Sequence, residues 1–493
     1  MKVLFIVPPD TMSIEASMSK TYGERERGYY PRLGLLYVAA SLEKATGSVP
    51  MLIDCPANEI GYDRLAQQVA EAKPDLVGIG VLTFTLLDAL KTARLIKEVH
   101  PPAKICLGGV HVGLYPEETL RLPEIDLVVH GEAERSFVRL VNALDGGATP
   151  EQLGRIPGVG AKDGNQVYLN PAKDAVPDLN QLPWPARGLI NMERYSHVLS
   201  RGSHFTTLQS SRGCPFACTF CDIRKSGFRA RSAENLLAEM RQLTEQGIDD
   251  LFFVDDTITI QRKRMLEICR LIAKSGIKVH YKISSRIDLI DEELLAALRE
   301  SGCYRIHYGV ETGTPRLIQL IEKGKNVSPQ RIEKVFRMTR DAGIQTLAYM
   351  MIGIPTETYA EMQNTVEFAC ALGADYAQFS VCTPYPKTEL YKRLLDDHTI
   401  PYDYWQDFVE DPRSDFQVKF WNPDFSEDEL REIQDKAHQR FYSRPSYVLK
   451  EMMKVRSWGE FNAKVRIGGR MLLRLRSQEN RVEPPEIYVN TAS

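Results

Sequence analysis

Short apolar runs and helical stretches alternate twice along this chain, and a proline-rich break separates the two trains. In the first train the strand candidates are 3–7, 51–54, 76–82, 104–107 and 126–130. Helical patterns fall between them, near 35–44, 62–72, 86–99 and 134–144. Parallel neighbours need a crossover, and a helix supplies it. The runs are apolar throughout, as strands covered on both faces must be. Five such units within 1–145 predict an α/β, flavodoxin-like (Rossmann-like), doubly wound domain. Residues 146–203 hold Gly146-Gly147 and Pro150, Pro157, Pro171, Pro177, Pro183 and Pro185, and read as a linker.

Alternation resumes at 204. Strands are expected at 205–210, 251–255, 279–284, 305–309, 345–351 and 376–381, with helices at 233–246, 263–274, 291–300, 330–342 and 360–372. Six units without a seventh or eighth suggest an open, partial (β/α)6 barrel over 204–398, with function at the carboxyl ends of its strands. From 399 to 493 the pattern is helical. Leu430, Ile433, Ala437 and Phe441 share one helical face. The tail is basic, with Lys450, Lys454, Arg456, Lys464, Arg466, Arg470, Arg474 and Arg476 among apolar residues. It reads equally as a solvated face and as a helix for a membrane surface or an acidic partner.

The net charge is 62 − 65 = −3, which leaves no footprint for nucleic acid. No run approaches the ~18 apolar residues of a membrane span. The segment Met1-Lys2-Val3-Leu4-Phe5-Ile6-Val7-Pro8 is too short a run for a signal peptide, so a cytoplasmic chain is expected, docked at most peripherally on a membrane through its tail. Nine cysteines in 493 residues are no disulfide scaffold.

Three of the nine crowd together in Cys214-Pro215-Phe216-Ala217-Cys218-Thr219-Phe220-Cys221. Three thiolates on a short loop can hold three irons of a [4Fe–4S] cluster and leave the fourth open, whereas electron-transfer clusters use four cysteines. Zinc is the competing reading, but its structural sites take four ligands in pairs. Asp222 and His204 are the only nearby candidates for a fourth, and neither has a partner at the usual spacing.

Cys-x3-Cys-x2-Cys with an aromatic, Phe220, before the last Cys resembles the signature of the radical S-adenosylmethionine (SAM) superfamily. That resemblance implies a partial (β/α)6 barrel, an open iron that chelates SAM, and a 5′-deoxyadenosyl radical. Other strand ends resemble the family's SAM-binding elements: Asp255-Asp256, which would accept from the SAM ammonium or else cap a helix; Ser284 and Arg286, the latter otherwise a surface partner of Asp288 or Glu292; Gly309-Val310-Glu311-Thr312-Gly313; and Gly353-Ile354-Pro355-Thr356-Glu357-Thr358.

A flavodoxin-like domain ahead of such a barrel is similar to the cobalamin-dependent (class B type) branch, which includes radical SAM methyltransferases and the anaerobic magnesium-protoporphyrin ester cyclase group. Pro8-Pro9, Pro31-Arg32-Leu33-Gly34-Leu35-Leu36-Tyr37, Gly108-Gly109-Val110-His111, Gly131-Glu132-Ala133-Glu134 and Phe441-Tyr442-Ser443-Arg444-Pro445 carry this resemblance. It implies cobalamin contacts at Pro9, Thr83, Gly108, Gly109, His111, Gly131 and Glu132. The Asp-x-His-x-x-Gly fingerprint is absent from 8–34, so no histidine there can ligate cobalt from below.

Cys55, Cys106, Cys269, Cys303 and Cys370 read as buried free thiols. Cys382, at the end of the sixth strand, reads first as packing and second as a substrate contact. Tyr308, Tyr349 and Tyr385 read as core, and Lys387 marks a loop suited to a particular substrate.

The resemblance implies a methyltransferase acting on an unactivated carbon of a small-molecule, lipid or tetrapyrrole substrate. A 5′-deoxyadenosyl radical would abstract hydrogen, methylcobalamin would deliver the methyl group, and a flavodoxin- or ferredoxin-type protein would supply electrons. A cyclase or oxidative rearrangement on the same scaffold is the enzymatic alternative, and a zinc-binding or redox-sensing non-enzyme is the other. The sequence names no catalytic side chain.

Overall fold

The computed structural model describes residues 1–14, 28–171, 174–197, 199–202, 204–324 and 326–453. The basic tail from Lys454 onward lies outside them.

The first sheet holds β1 (Val3–Val7), β2 (Met51–Asp54), β3 (Leu76–Gly80), β4 (Lys104–Gly108), β5 (Leu127–Val129), β6 (Val159–Asp163) and β7 (Gln166–Leu169), in the order β2-β1-β3-β4-β5-β6-β7. The first five strands are parallel and follow the flavodoxin order. Helices cover both faces, so β1 is buried along its whole length. Its Phe5 is 1% exposed, and a side chain of that size gains ~1.5–3 kcal/mol from such burial.

β6 and β7 are an antiparallel hairpin that extends the same sheet. The expected linker at 146–203 is therefore structured in its first part. The signal was the two-residue loop Gly164-Asn165 between two short β-rich runs, a hairpin turn of the primed type. Its surrounding prolines masked it.

The second sheet is parallel and in sequence order: β8 (Phe205–Leu208), then β11 (Asp250–Phe253), β12 (His280–Ser285), β13 (Cys303–Glu311), β14 (Gln345–Ile352) and β15 (Tyr376–Val381). A small antiparallel ribbon, β9 (Ser211–Arg212) with β10 (Arg229–Ala230), stands beside it. Helices return the chain after each strand. Several start on the side-chain caps that their sequences offer: Ser232 accepts from Asn235 N, Asp291 from Leu294 N and Ser328 from Arg331 N. The helix Glu427–Tyr442 closes the far edge, with Gln434 donating to Phe379 O of β15 at 2.9 Å. No described helix is long and apolar enough to cross a membrane.

Candidate functional site: two facing ligand edges

The cysteine loop is held at its base by the β9–β10 ribbon, whose strands flank 213–228. Gly213 makes the entry turn with φ +84°, and a Cβ there would lie 2.1 Å from Gly227 O. Cys214 N donates to Ser226 Oγ at 2.8 Å, and Lys225 N to Phe216 O at 2.8 Å. Thr219 N donates to Ile321 O at 3.1 Å and ties the loop to the barrel. Burial pushes the Cys214 thiol up and the Cys221 thiol up to about 12, and a bound metal would displace those protons.

Arg286, from the end of β12, donates Nη1 to Cys218 Sγ at 3.3 Å and stacks over Phe216 at 3.9 Å. It also pairs with Asp288 at 2.9 Å. The expected Asp288 pair is thus present, but the guanidinium is buried rather than on the surface, and its other edge serves the cysteine loop. Such hydrogen bonds to sulfur are one lever on cluster potential. Among the described residues no three His, Cys, Asp or Glu side chains converge on a single-ion site. His204 sits at the other end of β8, where its carbonyl accepts from Asp249 N and Asp250 N. The donor set fits a cluster: three thiols on one loop, a guanidinium on one sulfur, and Phe216 and Phe220 alongside.

The acidic pair divides its work. Asp255 is buried and accepts from Ser210 N at 3.1 Å, Ser210 Oγ at 2.8 Å and Ser211 Oγ, so it anchors the approach to the ribbon. It caps no helix, since Thr257 precedes Ile258–Ile260. Asp256 is exposed and accepts from Gly213 N at 3.1 Å, next to the cysteine loop. Although part of the residue meets solvent, desolvation of the carboxyl by the surrounding loop raises its pKa to about 6, against the Gly213 hydrogen bond, with Asp255 and Asp222 adding to the rise. Ser284 is part-exposed on the barrel's inner face. Glu311 takes φ +69° and pairs with Lys323 at 2.6 Å, while Lys323 stands 5.5 Å from the Phe220 ring centre. Gly353 turns with φ +71°. Cys382 is buried, in line with its first reading as packing, as are Cys55, Cys106, Cys269 and Cys303, whereas Cys370 is half-buried.

At the carboxyl edge of the first sheet the donors differ. Thr83 Oγ1 meets His111 Nδ1 at 3.1 Å, both residues are buried, and His111 Nε2 has no partner among the described residues. Burial lowers the His111 pKa to about 4 and keeps the ring neutral. Gly109 has φ +104°, and a Cβ there would lie 2.8 Å from Val81 O. Gly108 O accepts from Val81 N at 2.7 Å. Pro9 is buried after β1, and Gly131 turns with φ +76° after β5. Main chain, neutral rings and an unpartnered imidazole nitrogen fit a broad ligand that must lie close to the backbone.

The two edges face each other. Glu132 and Glu134 follow β5, and both pair with Arg212, two residues before Cys214, at 3.2 and 2.6 Å. Arg229 of β10 also pairs with Glu132. Burial alone would raise the Glu132 carboxyl, but the Arg229 hydrogen bond and the two guanidinium charges hold it below its ordinary range. Farther along, Phe84 packs edge-on against Tyr385 and Trp405 at 5.5 and 5.8 Å. Lys387 lies 4.7 Å over Tyr115. Arg212, Arg229 and Lys323 carry no local signal that would single them out, because their partners are remote in the chain.

Comparison with known proteins agrees with this arrangement. Residues 208–369 match the family model of the radical SAM superfamily, and residues 20–141 match that of the B12 binding domain. The chain is 31% identical over 458 residues to an uncharacterized methyltransferase of Pyrococcus horikoshii, covering 92% of this chain and 95% of that one. It is 28% identical over 405 residues to the anaerobic magnesium-protoporphyrin IX monomethyl ester cyclase of Rubrivivax gelatinosus, covering 80% and 70%. Among solved structures it resembles the radical SAM methyltransferase TsrM of Kitasatospora setae with cobalamin and a [4Fe–4S] cluster bound, with TM-score 0.69, 17% identity and 90% of each chain covered.

A cysteine loop on a six-stranded parallel sheet, set against the ligand edge of a doubly wound sheet, defines a radical SAM enzyme with a second cofactor domain. The chain belongs to the cobalamin-dependent radical SAM methyltransferase family, whose cofactors are a [4Fe–4S] cluster, SAM and cobalamin. The zinc-binding or redox-sensing non-enzyme is thereby set aside.

Proposed function

We propose that the enzyme methylates an unactivated carbon of a small-molecule substrate, a class that includes lipids and tetrapyrroles. When bound, the cluster with SAM supplies a 5′-deoxyadenosyl radical, and cobalamin supplies the methyl group. Cys214, Cys218 and Cys221 would hold the cluster. Asp256, Ser284, Arg286, Glu311 and Gly353 would hold SAM, with Asp255 bracing the approach and Phe220 screening it. Pro9, Thr83, Gly108, Gly109, His111 and Gly131 would bed the corrin, and Glu132 would fix it relative to the cysteine loop.

The observation that carries this reading is the Glu132–Arg212–Glu134 link, which sets the two ligand edges face to face. A short-lived radical must meet its partner at once, and a fixed separation provides that. We also propose a cytoplasmic enzyme reduced by a flavodoxin- or ferredoxin-type protein, whose basic tail would dock on a membrane surface. The division into 1–145, 146–203, 204–398 and 399–493 stands as a working division, with the hairpin of 159–169 belonging to the first sheet.

The test is to measure S-adenosylhomocysteine beside 5′-deoxyadenosine in the reduced, reconstituted enzyme with candidate substrates. Methylation yields both in step. The cyclase alternative, favoured by the similarity to the magnesium-protoporphyrin cyclase, yields only 5′-deoxyadenosine.

A further inference from the structure

Side chains alternate between the two faces of the barrel sheet. Ile283, Ile306, Tyr308, Ala348, Ala377 and Phe379 turn toward the helices and are buried. Their neighbours Ser284, Gly309, Tyr349, Gln378 and Ser380 turn inward and are part-exposed, so the inner face lines a space that solvent reaches. Beneath this space, toward the amino ends of the strands, lies a basic layer closed to solvent as the chain stands: Lys282 is 0% exposed, and Arg305 and His307 are each 3% exposed.

The floor lacks counter-charge. Lys282 donates Nζ to His197 Nδ1 at 2.8 Å and stands 4.7 Å over Phe205 and 5.3 Å over Phe252. Arg305 donates Nη1 to Leu199 O and Nη2 to Gln345 Oε1, both at 2.8 Å, stands 4.5 Å over Tyr376, and its Nε has no hydrogen-bond partner among the described residues. His307 shares Nδ1 with the Tyr349 hydroxyl at 3.1 Å, and its Nε2 has no partner. Asp250 is the acid whose charge reaches Lys282, but its carboxylate is taken up by Arg201 N at 2.6 Å, Gly202 N at 3.1 Å and Tyr304 OH at 3.1 Å. Among the described residues neither cation has an ion pair. Buried cations without an anion are expensive: burial, with Arg305 alongside, lowers the Lys282 pKa to about 7, and a ligand of opposite sign between the two would offset that cost and hold the ammonium charged.

We propose that Lys282, Arg305 and His307 form an oxyanion seat that holds a carboxylate or phosphoryl group of the substrate, which deepens and rests on the methyl-transfer reading above. Lys282 lies four residues before Arg286, which touches Cys218. At ~3.3 Å per residue along a strand, the seat lies roughly 13 Å below the cysteine loop. An acid held there extends its carbon skeleton up the barrel toward the radical source.

The test is thermal unfolding of the reconstituted holoenzyme in sodium phosphate, sodium acetate and sodium chloride at matched ionic strength. The wild type should show a saturable rise in midpoint in at least one oxyanion over chloride. Phosphate alone identifies a phosphoryl seat, and acetate alone a carboxylate seat. Lys282→Met should abolish that rise while its midpoint in chloride stays equal or increases, because it removes a buried amine that has no anion beside it. Lys282→Arg should keep the rise. Should Lys282→Met not fold, Arg305→Gln should show the same loss. The proposal is overturned if wild type shows no rise in either oxyanion, or if the rise survives in whichever neutral variant folds. No product is read, so this outcome is separate from the methylation assay.

Discussion

The two parallel sheets present their ligand edges with opposite chemistry. The first offers main chain, a Thr83–His111 contact and the turns at Gly109 and Gly131, and its imidazole is held neutral. The second gathers three thiols, Arg286 on a sulfur, the Glu311–Lys323 pair and Asp256. A large, nearly neutral macrocycle gains from close backbone approach, whereas a sulfonium amino acid and an iron cluster need charge and thiolate. The difference teaches that one strand–helix architecture supplies either kind of site by changing only the loops at its strand ends. Charge concentrates again where the edges meet, at Arg212, Arg229, Glu132 and Glu134.

The sharpest contrast comes from Cys218→Ala. It should remove the cluster absorbance and lower 5′-deoxyadenosine formation on the order of 1,000-fold, while cobalamin binding changes by less than about threefold. Loss of cobalamin as well would break the contrast, in which each edge binds its cofactor with its own residues. Next in size is Arg212→Ala, which leaves the buried Glu134 without its guanidinium. Methylated product should fall about 10–100-fold while 5′-deoxyadenosine falls less than about threefold, the mark of misplacement rather than lost chemistry. Product analysis of both species in one reaction checks this.

Gly109→Ala should weaken cobalamin about tenfold, read by equilibrium dialysis, because it forces a side chain into φ +104° with Val81 O at 2.8 Å. The smallest effect belongs to Glu357. Burial raises its pKa to about 8, so the folded state keeps a proton that the unfolded chain has released. Stability contributed here is therefore full below the ordinary carboxyl range and is lost as pH rises toward 8. Glu357→Gln keeps an acceptor for Ile354 N and should exceed wild type in melting temperature by a few degrees at pH 8–9, with the gap closing toward pH 5.

Much of the fold was legible before the structure. Apolar runs covered on both faces marked the parallel strands of both sheets within a few residues, because burial on both sides demands continuous apolar sequence, whereas the antiparallel hairpin of β6 and β7 went unmarked. The cysteine spacing marked its loop, because a cluster needs its ligands close together. The features that stayed hidden depend on contacts remote in the chain. Glu132 stood out by its motif, yet its partners Arg212 and Arg229 lie about 80 and 97 residues away and carry no periodicity. Asp255 and Asp256 look alike as a dipeptide, and only the neighbouring strand decides that one is taken up by Ser210 and Ser211 while the other stays open. Lys282 sits in an unremarkable strand, and its burial shows only when the barrel closes around it.

The central claim is that the cobalamin edge and the cluster loop face each other at short range. Electron-spin resonance of the reconstituted enzyme, poised so that cob(II)alamin and the reduced cluster are both paramagnetic, tests it most directly. The account predicts cob(II)alamin lines broadened or split by the cluster in wild type, and narrower in Arg212→Ala. Cobalamin lines identical with and without the cluster would contradict it.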